Sequence, residues 1–170
     1  MVGLFDDPLV DVDRAVEIVG KPEFVAADYG EIVDSAAAAD LAVIRLSAPF
    51  EKRDTPFENF FHAGSLDFDV DTIRHVNSIA SAVPTVIDVF LDRPAILEPL
   101  LRGHAALVVN FGANDRALLD VLFGKAAARG RLPFDLPASM DAVAASRPDT
   151  PFDTSAPIYR FGHGHTLSET

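Results

Sequence analysis

Pro84-Thr85-Val86-Ile87-Asp88-Val89-Phe90-Leu91 is apolar at every position except Thr85 and Asp88, and much of it is β-branched. A run with no inward–outward alternation reads as a strand covered on both faces. Leu41-Ala42-Val43-Ile44-Arg45-Leu46 lies before it and Ala105-Ala106-Leu107-Val108-Val109-Asn110-Phe111 after it, and both repeat the pattern. Helical segments separate the runs. Val70, Ile73, Val76, Ala80 and Val83 form a stripe at three-to-four spacing. Asp92-Arg93-Pro94 supplies an acidic N-cap and a proline in the first turn, for a helix presenting Ile96, Leu97, Leu100 and Leu101 and ending at Gly103. Asn114 is placed to cap a third helix through Leu118, Leu119, Val121 and Leu122, with Gly124 near its end. Strand–helix–strand alternation at these lengths calls for right-handed crossovers. The fold expected is an α/β three-layer sandwich, a mostly parallel sheet flanked by helices.

Toward the N-terminus the pattern changes. Asp6-Asp7-Pro8 and Gly20-Lys21-Pro22 are turn signals. Between them Val12, Ala15, Val16 and Val19 share one face at helical spacing, and a second short helix is expected from Pro22 to Tyr29. Residues 1–30 are therefore expected to be a helical lead-in, and residues 31–170 the sandwich. Beyond Pro133 proline becomes frequent and periodicity fades, so an extended surface arm is expected from about residue 138. Ile158-Tyr159-Arg160-Phe161 reads as a short edge strand, and Thr166 to Thr170 as a loose end.

A chain of 170 residues is long enough to bury a core as one domain. Cysteine is absent, which excludes disulfides and thiolate metal sites. The opening Met1-Val2-Gly3-Leu4-Phe5-Asp6-Asp7 has no basic region ahead of a long apolar run, so neither a signal peptide nor a membrane span is expected. The compartment expected is the cytoplasm. Acidic residues outnumber basic ones 26 to 14, for a net charge of −12. That balance repels phosphate backbones and anionic lipid surfaces, so neither nucleic acid nor membrane is an expected partner. Neutral sugars carry no such penalty.

Three motifs in the last third fall in a fixed order: Leu119-Asp120-Val121-Leu122-Phe123-Gly124, Gly130-Arg131-Leu132-Pro133-Phe134-Asp135-Leu136-Pro137 and Tyr159-Arg160-Phe161-Gly162-His163-Gly164. The series resembles the C-terminal domain of glycoside hydrolase family 3, the β-glucosidase-like enzymes. The resemblance covers roughly Asp40 to Leu167. It departs from the family at Asp92, where glycine is usual, at His163, where tyrosine is usual, and in Asn110-Phe111-Gly112-Ala113-Asn114-Asp115, where a proline-glycine-glutamine-glutamate-glycine loop is usual. Gly3-Leu4-Phe5-Asp6-Asp7-Pro8 is similar to the family's exit from its barrel domain. The first strand or strands of the domain are expected to be missing, leaving a smaller sheet or one paired with a second copy of the chain.

The resemblance implies exo-acting hydrolysis of terminal β-linked sugars, without a cofactor, with a carbohydrate or glycoside as ligand. It also implies that the chain is catalytically incomplete alone. Retaining glycosidases set two carboxyl groups about 5 Å apart. In this family the nucleophile sits on the barrel, and no barrel fits in this sequence. The partners implied are thus a barrel domain or a second copy of the chain. The acid/base in many members is a glutamate on a mobile loop, here Ser47 to Leu66. Glu58 is the expected acid/base, with Glu51 and His62 as alternatives, and Phe57, Phe61 and His62 are the expected substrate-binding residues. Phe57, Phe60 and Phe61 read as a packing plug or interface ahead of a sugar-stacking platform. The rival function is a non-catalytic carbohydrate-binding or oligomerisation module.

Other chemistry is sparse. Gly162-His163-Gly164-His165 spaces two histidines as strand ligands, but no third ligand accompanies them, so no metal is expected. Asp88 reads as a strand-end polar contact, and His75 and His104 as surface or satisfied core residues. No G-x-G-x-x-G follows a strand, and no G-x-S-x-G is present.

Overall fold

The computed structural model describes residues 2–3, 16–19, 28–101, 105–147 and 149–165. Seven strands are present among them: β1 (Val2–Gly3), β2 (Val16–Val19), β3 (Leu41–Ser47), β4 (Thr85–Phe90), β5 (Ala105–Asn110), β6 (Leu136–Pro137) and β7 (Pro157–Tyr159). Four helices accompany them: α1 (Pro56–Asn59), α2 (Val70–Ala80), α3 (Asp115–Leu122) and α4 (Met140–Ala145). The main sheet has the order β1-β5-β4-β3-β2. Strands β2 to β5 are parallel, and β1 is antiparallel to β5. Strands β6 and β7 form a separate antiparallel ribbon, so the segment expected as an edge strand pairs outside the main sheet.

Successive side chains of a strand point to opposite faces, and the two faces bury different partners. Ala42, Ile44, Ile87, Val89, Leu107 and Val109 pack with Val76 and Ile79 of α2 and with Leu97, Leu100, Leu132 and Leu136. Leu41, Val43, Val86 and Val108 pack with Tyr29 and with Leu118, Leu119 and Leu122 of α3. Helix, sheet and helix thus form the three layers expected. The Tyr29 hydroxyl donates to Asp120 at 2.6 Å, and the Lys125 ammonium lies 3.8 Å over the Tyr29 ring, which fastens the approach to β3 onto α3.

Three expectations need correction. Val16–Val19 is a strand parallel to β3 and not the end of a helix. Val16-Glu17-Ile18-Val19 satisfies both periods over so short a window, and β-branched residues favour the extended form. Val12, Ala15 and most of the second expected helix lie outside the described residues. The sheet accordingly has one strand, β2, ahead of β3. The segment after Asp92 does not form a full helix. It makes one 3-10 turn, Glu98–Leu100, because Pro99 inside it has no N–H to donate and its ring clashes with the preceding turn. Gly103 and His104 lie outside the described residues, as do Thr166 to Thr170. Finally, the expected extended arm contains α4, capped by Ser139, whose side chain accepts from the Ala142 N–H at 3.2 Å.

Candidate functional site

The chain leaves the carboxyl end of β3 and returns to α2 through residues 48–69, which form a folded excursion. Its neck is closed by backbone and by one arginine. The Glu51 N–H donates to the Ala63 carbonyl at 2.9 Å. Arg93, in the turn after β4, donates to the Gly64 carbonyl at 2.8 Å and to the Pro49 carbonyl at 3.4 Å, so one guanidinium spans both sides of the neck. Glu51 braces the same place, accepting from the Ser65 N–H at 3.2 Å and facing Arg53 at 3.3 Å. Gly64 has φ +94°, which side-chain-bearing residues rarely adopt, and a Cβ there would fall 2.4 Å from the Glu51 carboxyl carbon and displace that brace.

Inside the neck lies α1. Pro56 occupies its first turn and Thr55 its N-cap. The Thr55 hydroxyl accepts from the Glu58 N–H at 3.3 Å and donates to the Glu58 carboxylate at 2.7 Å. The Asn59 side chain donates to the Arg53 and Thr55 carbonyls and accepts from the Arg53 N–H. With its polar groups satisfied locally, α1 buries none of its residues, and the aromatic side chains on it and in the turn after it face solvent. Phe57, Phe60 and Phe61 are 75%, 79% and 61% exposed. They touch edge to face, Phe57 to Phe61 with ring centroids 5.3 Å apart and Phe60 to Phe61 at 5.4 Å. Arg53, Glu58, Phe61 and Ala63 line an open cleft of about 280 Å³. A second cleft, of about 350 Å³, opens beside it at the end of β3, against Phe50, Lys52, Asp67 and Phe68.

The structure therefore brings Glu58, Phe57 and Phe61 together on one exposed element. Glu51 stands apart as a brace of the neck. His62 lies at the base of the aromatic cluster with a positive φ of 37°. Its ring stacks on Phe50 at 4.0 Å, and its Nδ1 faces the Asp92 carboxylate.

One polar constellation was only half visible in the sequence. Asp88 is 1% exposed and accepts from the Asn110 amide at 2.9 and 3.1 Å and from Arg45 Nε at 2.9 Å. Arg45 reaches on to Asp115 in the first turn of α3, and Asn110 accepts from the Gly112 and Ala113 N–H groups. Burial raises the Asp88 carboxyl above its ordinary value, against the opposing pull of Asn110 and Arg45. Arg45 and Asp88 stand opposite each other in register, which was the signal available: two charges of opposite sign in neighbouring apolar runs. The group ties the carboxyl ends of three strands to α3, and it is distant in role from the aromatic excursion. His163 and His165 meet edge to face at 5.4 Å, and His75 is exposed. Among the described residues no three histidine or carboxylate side chains gather as a metal site, and no helix is long and apolar enough to cross a membrane.

Comparison with known proteins decides the family. The model of the glycosyl hydrolase family 3 C-terminal domain matches residues 5–167. The chain belongs to that family. Its curated relatives include Beta-glucosidase C of Emericella nidulans, 36% identical over 96% of this chain and 33% of the relative. Another is a periplasmic beta-glucosidase/beta-xylosidase of Dickeya chrysanthemi, 39% identical over 95% of this chain and 31% of the relative. The chain thus spans about a third of the length of these relatives. The first match runs over 206 positions against a chain of 170 residues, so the relative carries stretches inside the matched region with no counterpart here. The fold matches the beta-glucosidase from Listeria innocua solved with isofagomine at a TM-score of 0.72 and 17% identity, over 97% of this chain and 32% of that one. It matches the Beta-D-glucoside glucohydrolase from Trichoderma reesei at 0.72 and 16% identity, over 97% of this chain and 35% of that one.

Proposed function

We propose that this family 3 domain serves exo-acting hydrolysis of terminal β-linked sugars by closing one side of a pocket whose nucleophile lies on a barrel domain. The observation that carries the reading is the excursion after β3, where a carboxylate and an aromatic face stand exposed on one short helix and the turn that follows it, in a domain of this family. Glu58 is the acid/base. Phe57 and Phe61 offer faces to the apolar side of a pyranose, and His62 lies at their base. A general acid works in a dehydrated, apolar setting, whereas Glu58 in this chain faces solvent. A second wall supplied by the barrel gives the missing desolvation and the second carboxylate together.

The test is a chimera. The chain replaces the corresponding domain of the Emericella nidulans relative, and release of nitrophenol from aryl β-glycosides is measured for the chimera and for the isolated chain. The chimera is expected to turn over, and Glu58→Gln to lower kcat by about 10²- to 10⁴-fold, the range for loss of a general acid. The isolated chain is expected to release none. An active chimera indifferent to Glu58→Gln removes Glu58 from the mechanism.

A second reading is a non-catalytic carbohydrate-binding or oligomerisation module. The observation favouring it is that the first relative's matched region contains stretches this chain lacks. An inactive chimera, with cellobiose binding or self-association retained by the chain, selects it.

A further inference from the structure

The aromatic excursion has little of its own to hold it in place. Helix α1 buries nothing, and Thr55 and Asn59 bond only within it. Its ties to the domain are at the neck, through Arg93, and at one point beyond the neck, His62. Two features single out that point. First, His62 adopts a left-handed backbone, which few non-glycine residues do readily, so the chain bends there to deliver the ring. Second, the ring is engaged on one face and at one nitrogen. One face is stacked on Phe50 with an interplanar angle of 11°, and Nδ1 points at Asp92, which belongs to the turn after β4. An ionised carboxylate only accepts, so Nδ1 carries the proton in this contact.

We propose that His62 and Asp92 are positioning residues: a latch that holds the Phe57–Phe61 face in a fixed orientation over the carboxyl end of the sheet, ready for a pyranose ring. This rests on the reading of that face as sugar-facing. In it His62 does not itself touch the sugar. Its ring holds the end of α1 against the domain, so that Phe61, the adjacent residue, keeps its angle to Phe57 and Phe60. Without the latch the end of α1 at Asn59–His62 frays, and the aromatic face is disordered relative to the sheet. A disordered platform must be ordered when ligand binds, which weakens binding.

The experiment is hydrogen exchange of the α1 amides in the full chain, followed by NMR. The Asn59, Phe60, Phe61 and His62 N–H groups donate to carbonyls of residues 55 to 59 and so report whether α1 is formed. The variants are Asp92→Asn, His62→Asn and the pair together. Asparagine tolerates a left-handed backbone, so His62→Asn removes the ring and keeps the bend. Each single variant is expected to speed exchange of these amides about three- to fivefold, the effect of losing a partly exposed hydrogen bond to a carboxylate. The double variant is expected to match His62→Asn alone and not to multiply the two effects, which marks the contact between the two residues as one interaction. Exchange of α2 and β4 amides, unchanged, shows that the domain is folded. His62→Asp combined with Asp92→His swaps the partners and is expected to restore protection. Arg74→Ala, which breaks an exposed pair on α2, is the control expected to leave α1 untouched.

Unchanged exchange in Asp92→Asn and His62→Asn overturns the latch. Cellobiose, titrated against the same amides, tests the sugar-facing premise separately. Shifts that weaken at least threefold in both variants support the positioning role. Faster exchange without any cellobiose response in the unmodified chain overturns that role and the sugar-facing reading, while the latch itself stands.

Discussion

At the scale of single residues, the most consequential group in the core is Asp88. Its strand is covered on both faces, so its carboxylate is tolerable only because Asn110 and Arg45 donate to it. Those partners do not fully offset burial, and the folded-state pKa is raised. The native chain therefore binds the Asp88 proton more tightly than the unfolded chain. Between the ordinary carboxylate value and the raised one, the native state carries more of this proton, so the contribution of Asp88 to stability falls as pH rises through that window and is flat above it. Asp88→Asn removes the titration and turns one acceptor into a donor facing the Asn110 amide. The expected loss is about 2 kcal/mol near pH 7, the cost of a buried unmet polar group. The gap to the unmodified chain, from urea midpoints between pH 4 and 7, is expected to widen on acidification. A gap that narrows instead shows that the Arg45 pair outweighs burial and the sign is wrong. The sequence displayed the two charges but not their meeting, because register between strands far apart in the chain is set by the whole sheet and not by either segment.

At the scale of elements, burial and exposure divide between helices with the same kind of start signal. Asn114 caps α3 by accepting from the Ala117 N–H at 2.9 Å, and α3 buries Leu118, Leu119, Val121 and Leu122. Thr55 caps α1, which buries nothing. Asn114→Ala is expected to lower global stability by about 1 kcal/mol, read as a shift in the urea midpoint. Thr55→Ala is expected to leave that midpoint in place while speeding exchange at Phe60 to His62, since α1 opens without unfolding the core. Equal midpoint shifts in the two variants contradict this division. The same contrast explains what was legible. Strands β3, β4 and β5 and helices α2 and α3 were readable because each owes its position to burial, and burial writes a periodic apolar pattern. The turn at Glu98–Leu100 was misread because its leucines are as buried as helix residues, while Pro99 blocks the helix they suggest. Strand β2 was misread because four residues are too few to separate the two periods. The loop 47–66 was found through family resemblance and not through pattern. Its latch and neck, His62–Asp92 and Arg93, were not found, since polar contacts between loops leave no periodic trace.

At the scale of the whole molecule, two opposed properties set its behaviour in solution. The net charge of −12 keeps copies apart. The Phe57, Phe60 and Phe61 face offers them a common apolar contact. Which wins depends on pH and salt, because repulsion acts through solvent over a Debye length of about 8 Å at physiological ionic strength, whereas apolar contact does not need charge at all. At pH 8 and low salt, repulsion dominates, and light scattering is expected to give the monomer mass of 18.3 kDa. Toward the isoelectric point near 4.6 the repulsion vanishes, and the mass is expected to rise with concentration. Replacing Phe57, Phe60 and Phe61 by serine is expected to suppress that rise without altering the urea midpoint, because none of the three contributes to the core. Association of the triple-serine variant at the same pH and concentration as the unmodified chain would move the contact elsewhere on the surface. Association already at pH 8 and low salt, abolished in that variant, would mean that the aromatic face overcomes the charge unaided and would favour the oligomerisation module over the closing wall of a hydrolase pocket.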